Sequence, residues 1–214
     1  GIVENAVETY KKLFSQTSGN TAFSISGGLE PLTNPKLGEI ITEAYKKNIK
    51  IPLITNGYSL TQNYIKKNPG IWNLDSLRIS LYGVDSESYN FITRVNKSYD
   101  MVKKNSINFL KLRNLNNPNL KFGFNFIIVP ENIDQVLKIL DLIEEINSKV
   151  DNGKGVDFLT LRDDYQSITG NDEKFDTERK YRLHSIMSDR LRMDLIKIIQ
   201  EFHKKKNRVL PNLH

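Results

Sequence analysis

Along this chain the spacing of apolar residues switches back and forth between period two and about 3.6 residues, the marks of strands and helices. From Glu4 to Phe14, Val7, Tyr10, Leu13 and Phe14 fall at helical spacing, and Ala22 to Ser26 reads as a short strand ending on Gly27-Gly28. Asn34-Pro35 supplies an N-cap and first-turn pair for a helix whose Leu37, Ile40, Ile41, Ala44 and Tyr45 form one apolar face. Further strands are predicted at Lys50 to Thr55, Ser76 to Tyr82, Lys121 to Val129 (closed by Pro130) and Val156 to Arg162. Helices are predicted near Leu60 to Lys67, from Ser98 to about Leu112, and from Ile133 to Ile146. After Asp164 the chain turns polar, then carries Leu183, Ile186, Leu191, Leu195, Ile198 and Ile199 in one or two further helices.

Five strands, each followed by a helix, predict an α/β fold with a parallel sheet of right-handed βαβ units. If that sheet curls into a barrel, the strand that should feed the opening helix is missing. In such folds ligands lie beyond the carboxyl ends of the strands. Alternation assigns the faces: Phe122, Phe124 and Phe126 turn toward helices and Gly123, Asn125 and Ile127 inward. Leu77, Ile79, Leu81, Leu159 and Leu161 likewise turn outward, leaving Arg78, Ser80, Tyr82, Thr160 and Arg162 on the inner face. Closed eight-stranded barrels fill their interior with branched apolar side chains, so this polar lining predicts a wider, ligand-filled cavity.

Composition narrows the chemistry. The chain has 214 residues, enough to bury a substantial core, and 38% hydrophobic with 26% charged residues excludes the signature of disorder. No apolar run approaches the roughly 18 residues of a membrane span, and no secretory leader opens the sequence, so a cytoplasmic setting is expected. The net charge is +6, but Gly1 to Glu173 carries 20 basic and 20 acidic residues. The excess sits in the tail, which argues against a nucleic-acid partner for the main domain, while the missing apolar run argues against a membrane. There is no cysteine, and the three histidines, His184, His203 and His214, all lie in the tail. The residues present therefore predict no metal site and supply no thiolate.

The predicted strand ends are unusually polar: Ser26-Gly27-Gly28-Leu29-Glu30-Pro31, Thr55-Asn56-Gly57, Ser80-Leu81-Tyr82-Gly83, Asn125, and Arg162-Asp163-Asp164-Tyr165. Paired glycines let a small polar ligand approach backbone groups, and the carboxylate of Glu30 beside them suits an ammonium group. Arg162 with the adjacent aspartates suits a substrate bearing both an anionic and a cationic or hydroxylated group, or else an internal salt bridge.

These motifs, in this order, resemble those of the radical S-adenosylmethionine (SAM) enzymes, which have a partial (βα)6 barrel. SGGLEP is similar to that family's GGE motif with one residue inserted, LITNG (Leu53 to Gly57) to its third strand end, and LRISLYG (Leu77 to Gly83) to its fourth. FNFIIVPEN (Phe124 to Asn132) resembles the fifth-strand segment and FLTLR (Phe158 to Arg162) the sixth. The resemblance implies a SAM site formed by Ser26, Gly27, Gly28, Glu30, Asn56, Ser80, Arg94, Ile127 and Ile128. It implies a substrate site with Asn125, Arg162, Asp163 and Tyr165. It further implies a [4Fe–4S] cluster, an electron donor such as flavodoxin or ferredoxin, and a small-molecule substrate that loses hydrogen to a 5′-deoxyadenosyl radical. SGGLEPLTNP, SLYG and FLTLRDDY resemble more narrowly the members that deaminate nucleotide-linked amino sugars.

The family's CxxxCxxC loop has no counterpart in this sequence, so the segment by itself is expected to be inactive. The resulting layout is a partial barrel over residues 1–170, without its first strand and cluster loop, and a basic helical extension over 171–214. Two rivals stand beside it: a cysteine-free barrel that binds SAM or a partner without catalysis, and an aldolase-like barrel enzyme. The second needs a Schiff-base lysine or metal ligands at the strand ends, and these contain neither Lys nor His.

Overall fold

A computed structural model describes residue 25 and residues 29–151, 153–163 and 210–213. A 3₁₀ turn, Pro31–Thr33, leads into α1 (Leu37–Lys46), followed by β1 (Pro52–Thr55), α2 (Gln62–Lys67) and a 3₁₀ turn at Pro69–Asn73. Then come β2 (Ser76–Leu81), α3 (Ser86–Thr93), α4 (Ser98–Asn116) and β3 (Lys121–Ile128). A 3₁₀ helix, Pro130–Lys138, runs into α5 (Ile139–Ser148), and β4 (Phe158–Asp163) and β5 (Leu210–Leu213) complete the order. The sheet is wholly parallel with order β1-β2-β3-β4-β5. Ile25 bridges Leu53 in parallel on the free side of β1, where the sequence predicts the strand Ala22 to Ser26.

The predicted faces hold. Leu53, Leu77, Ile79, Phe122, Phe124, Phe126 and Leu159 are almost wholly buried beneath the helices. An aromatic series, Trp72–Phe109–Phe122–Phe124, joins the 3₁₀ turn, α4 and β3 with ring centroids 5.3, 5.5 and 5.4 Å apart. Contacts at this spacing add to the area term of the core.

Four local expectations are corrected. Asn34 does not cap α1 directly: its Oδ1 accepts from Lys36 N at 2.9 Å, and the helix begins after that turn, at Leu37. Residues 86–93 form α3, which the sequence reading omits because its apolar stripe is weak; Asp85 caps it by accepting from Ser88 N at 2.9 Å. The helix expected from Ile133 starts as the 3₁₀ helix Pro130–Lys138, since Pro130 sets the first turn and Asn132 closes it onto Val129 N at 2.9 Å. Leu210–Leu213 is an edge strand beside β4, not part of a helical extension; Pro211, which lacks an N–H, is tolerated at an edge. The helices expected at Glu4 to Phe14 and across Leu183 to Ile199 lie outside the described residues.

Candidate functional site

The strand register stacks inner-face residues in rows across the sheet. Arg78, Gly123 and Phe158 form one row, Ser80, Asn125 and Thr160 the next, and Ile127 with Arg162 the third. Asn212 of β5 occupies the register position beyond Thr160. Asn125 and Thr160 are buried, Ser80 and Arg162 half-buried. The Asn125 Oδ1 is buried without a hydrogen-bond partner, an arrangement that costs free energy unless something fills the place of the missing donor.

At the end of β1, the carboxylate of Glu30 is held by three donors of the chain itself. Thr55 Oγ1 and Leu32 N donate to Oε1 at 2.5 and 3.1 Å, and Asn56 N donates to Oε2 at 2.8 Å. An ionised carboxylate accepts about four hydrogen bonds, so Oε2 keeps capacity for an outside N–H donor. Tyr64 stands near: burial, and then the charge of Glu30, raise its pKa, and its hydroxyl is buried without a partner.

The loops that frame the strand ends are pinned from behind. Gly57 turns with φ +73°, and Asn105 of α4 donates to the carbonyls of Gly57 and Tyr58 at 3.0 and 2.8 Å. Asn132, wholly buried, donates to Tyr82 O and Ile127 O at 2.8 Å each, tying the ends of β2 and β3. Gln135 accepts from Val84 N at 3.0 Å and from Ser88 Oγ at 2.9 Å, fixing the loop that follows β2.

Of the residues named from sequence, Glu30, Asn56, Ser80, Asn125, Ile127 and Arg162 stand at strand ends or on the inner rows. Ile128 closes β3 in register with Asp163. Arg94 departs from the group: it is exposed at the end of α3, in the left-handed region with φ 58°. Ser26, Gly27, Gly28 and Tyr165 lie outside the described residues. The sequence reading lists Thr55 among the polar strand ends without its hold on Glu30, and it overlooked Asn132 and Gln135, polar residues in the 3₁₀ helix that follows β3. Among the described residues no group of three His, Cys, Asp or Glu side chains gathers as a metal site. No helix among them is long and apolar enough to cross a membrane.

The Radical SAM superfamily model matches residues 2–143. The chain belongs to the radical SAM superfamily. It is 32% identical over 172 residues to a dTDP-4-amino-4,6-dideoxy-D-glucose ammonia-lyase of Streptomyces venezuelae, covering 80% of this chain and 35% of that protein. It is 29% identical over 127 residues to the putative ankyrin repeat protein R598 of Acanthamoeba polyphaga mimivirus, covering 56% of this chain and 38% of that protein. It thus spans little more than a third of the length of these two curated relatives.

In fold it is similar to Streptococcus suis SuiB in a SAM-bound crystal structure, with TM-score 0.59 and 16% identity, over 97% of this chain and 43% of SuiB. A domain of pyruvate-formate lyase-activating enzyme from Bacteroides vulgatus gives 0.57 and 12%, over 90% of this chain and 98% of that domain. The radical SAM chain is therefore an α/β partial barrel. The family implies SAM and a [4Fe–4S] cluster. SAM's ammonium fits the open acceptor on Glu30, whereas a cluster needs thiolates and this chain has no cysteine. The residues present do not fit a cluster.

Proposed function

We propose that this chain is the SAM- and substrate-binding barrel of an enzyme acting on a nucleotide-linked amino sugar. The observation that carries the reading is Glu30, anchored to the end of β1 by Thr55 and Asn56 with acceptor capacity left on Oε2. The methionyl ammonium of SAM pairs with that carboxylate, and Ser26, Gly27, Gly28, Asn56, Ser80, Ile127 and Ile128 enclose the rest of the molecule. Arg94, exposed at the end of α3, is the remaining candidate for the SAM carboxylate. Asn125, Arg162, Asp163 and Tyr165 hold the substrate. Identity to the ammonia-lyase supports the substrate class.

The chemistry SAM supplies in this superfamily is hydrogen abstraction by a 5′-deoxyadenosyl radical, with an electron from a carrier such as flavodoxin or ferredoxin. The share of this chain is binding, orientation and exclusion of water. A cytoplasmic setting suits that chemistry. The lack of cysteine favours one second reading, a SAM-binding barrel without redox chemistry.

Calorimetric titration of SAM into the protein tests the proposal. Saturable binding that Glu30→Gln weakens by roughly tenfold or more is expected, from the loss of charge-assisted hydrogen bonds. Absence of binding to the wild type sinks it. Binding of SAM with no binding of the nucleotide-linked amino sugar selects the second reading.

A further inference from the structure

Among the described residues, Arg78 is an inner-face cation with no counter-charge. It projects from the middle of β2, and its guanidinium carbon lies 5.0 Å from the centroid of the Phe158 ring. That ring reaches Arg78 because residue 123, between them in the register, is glycine: any Cβ there would run into the Phe158 ring and carbonyl. The Arg78 Nε is buried without a hydrogen-bond partner, and no carboxylate among the described residues pairs with the side chain. Burial, and then the like charge of Arg162, lower its pKa. One row above, on the same face and about 7 Å along the strands, lies the unpartnered Oδ1 of Asn125.

Among the described residues, a guanidinium braced on an aromatic ring without an anion, beside a buried carbonyl without a donor, forms a pair of complementary binding groups. We propose that Arg78 and Asn125 form an oxyanion subsite for the substrate, on the inner face and separate from Glu30. Arg78 takes a phosphate oxygen, and Asn125 accepts from a neighbouring hydroxyl or ammonium of the same molecule. This rests on the reading of the chain as a substrate-binding barrel and gives the diphosphate of a nucleotide sugar its place. The α-carboxylate and ammonium of SAM offer the same pair of groups, so the test must separate the two sources.

Titration of dTDP and of inorganic pyrophosphate into the protein saturated with SAM makes that separation. Both probes are expected to bind with SAM present, and Arg78→Gln to weaken them roughly 10- to 100-fold while leaving SAM affinity unchanged. Loss of SAM affinity in Arg78→Gln, or competition between SAM and dTDP, assigns the pair to SAM and overturns the subsite while leaving the SAM-binding reading intact. Asn125→Leu guards against a folding artefact. Removing a buried orphan carbonyl should hold or raise the melting temperature while dTDP affinity falls. A lower melting temperature with dTDP affinity unchanged makes Asn125 structural and overturns its role here.

Discussion

Thr55 donates its hydroxyl proton to Glu30 Oε1 at 2.5 Å, joining the end of β1 to a segment 25 residues earlier. With Leu32 N and Asn56 N on the same carboxylate, the direction in which Glu30 presents its remaining acceptor is fixed by the fold before any ligand arrives. Thr55→Val keeps the β-branched shape, removes one donor to Glu30 and takes away the hydroxyl oxygen that accepts from Gly57 N at 3.0 Å. It is expected to cost about 1–3 kcal/mol in stability and to weaken SAM less than Glu30→Gln does. Urea unfolding and SAM titration of both variants check the order; a Thr55→Val protein that loses SAM entirely contradicts it.

Among the described residues Arg113 is the charge most fully withdrawn from water, with a side-chain exposure of 0%. Burial lowers its pKa against the opposing pull of Asp157, 2.5 Å away, and the guanidinium also donates to the carbonyls of Leu120, Lys154 and Gly155. It thereby gathers the end of α4 and the entries to β3 and β4 at the pole opposite the site. Arg113→Ala leaves Asp157 and three carbonyls without this partner, and about 3–5 kcal/mol of stability is expected to go with it. In a cycle with Asp157→Asn the two losses should not add. Additive losses in urea midpoints would show that the pair is not coupled.

Gly123 gives way to the ring of Phe158, so the size of residue 123 controls where that ring lies. Gly123→Ala is expected to cost about 1–3 kcal/mol through overpacking. Adding Phe158→Ala should recover only part of this, because the Phe158 carbonyl crowds the same spot. Full recovery in thermal melts shows that the ring alone makes the clash.

The parallel order and the two faces were legible because strand alternation depends only on local spacing: Phe122, Phe124 and Phe126 on one side and Asn125 on the other need no tertiary information. Polar strand ends were legible for the same reason. Arg78 was visible as an inward residue but not as a site, since its lack of a counter-charge among the described residues follows from what surrounds it. Helix α3 escaped because its amphipathic pattern is weak and its start depends on the Asp85 cap. Strand β5, at Leu-Pro-Asn-Leu, has too little β-branched or aromatic character to stand out from its neighbours and exists by pairing with β4.

Tyr89 and Tyr99 set the alkaline limit of the loop after β2. Tyr99 donates to Val84 O at 2.5 Å and Tyr89 to Ser80 O at 3.5 Å. Burial raises both phenol pKa values above the ordinary 10.0, helped at Tyr99 by the nearby Glu145, Asp85 and Asp100 and at Tyr89 by Tyr82 and Glu30. A phenol harder to ionise when folded than when unfolded contributes stability that is complete below pH about 10 and drains away as pH rises above it. The melting temperature should therefore fall above pH 10, and the Tyr89→Phe, Tyr99→Phe double variant should fall less steeply from a lower starting value. Parallel curves for the two proteins between about pH 9 and 11 would assign the alkaline loss to other groups, the lysines first.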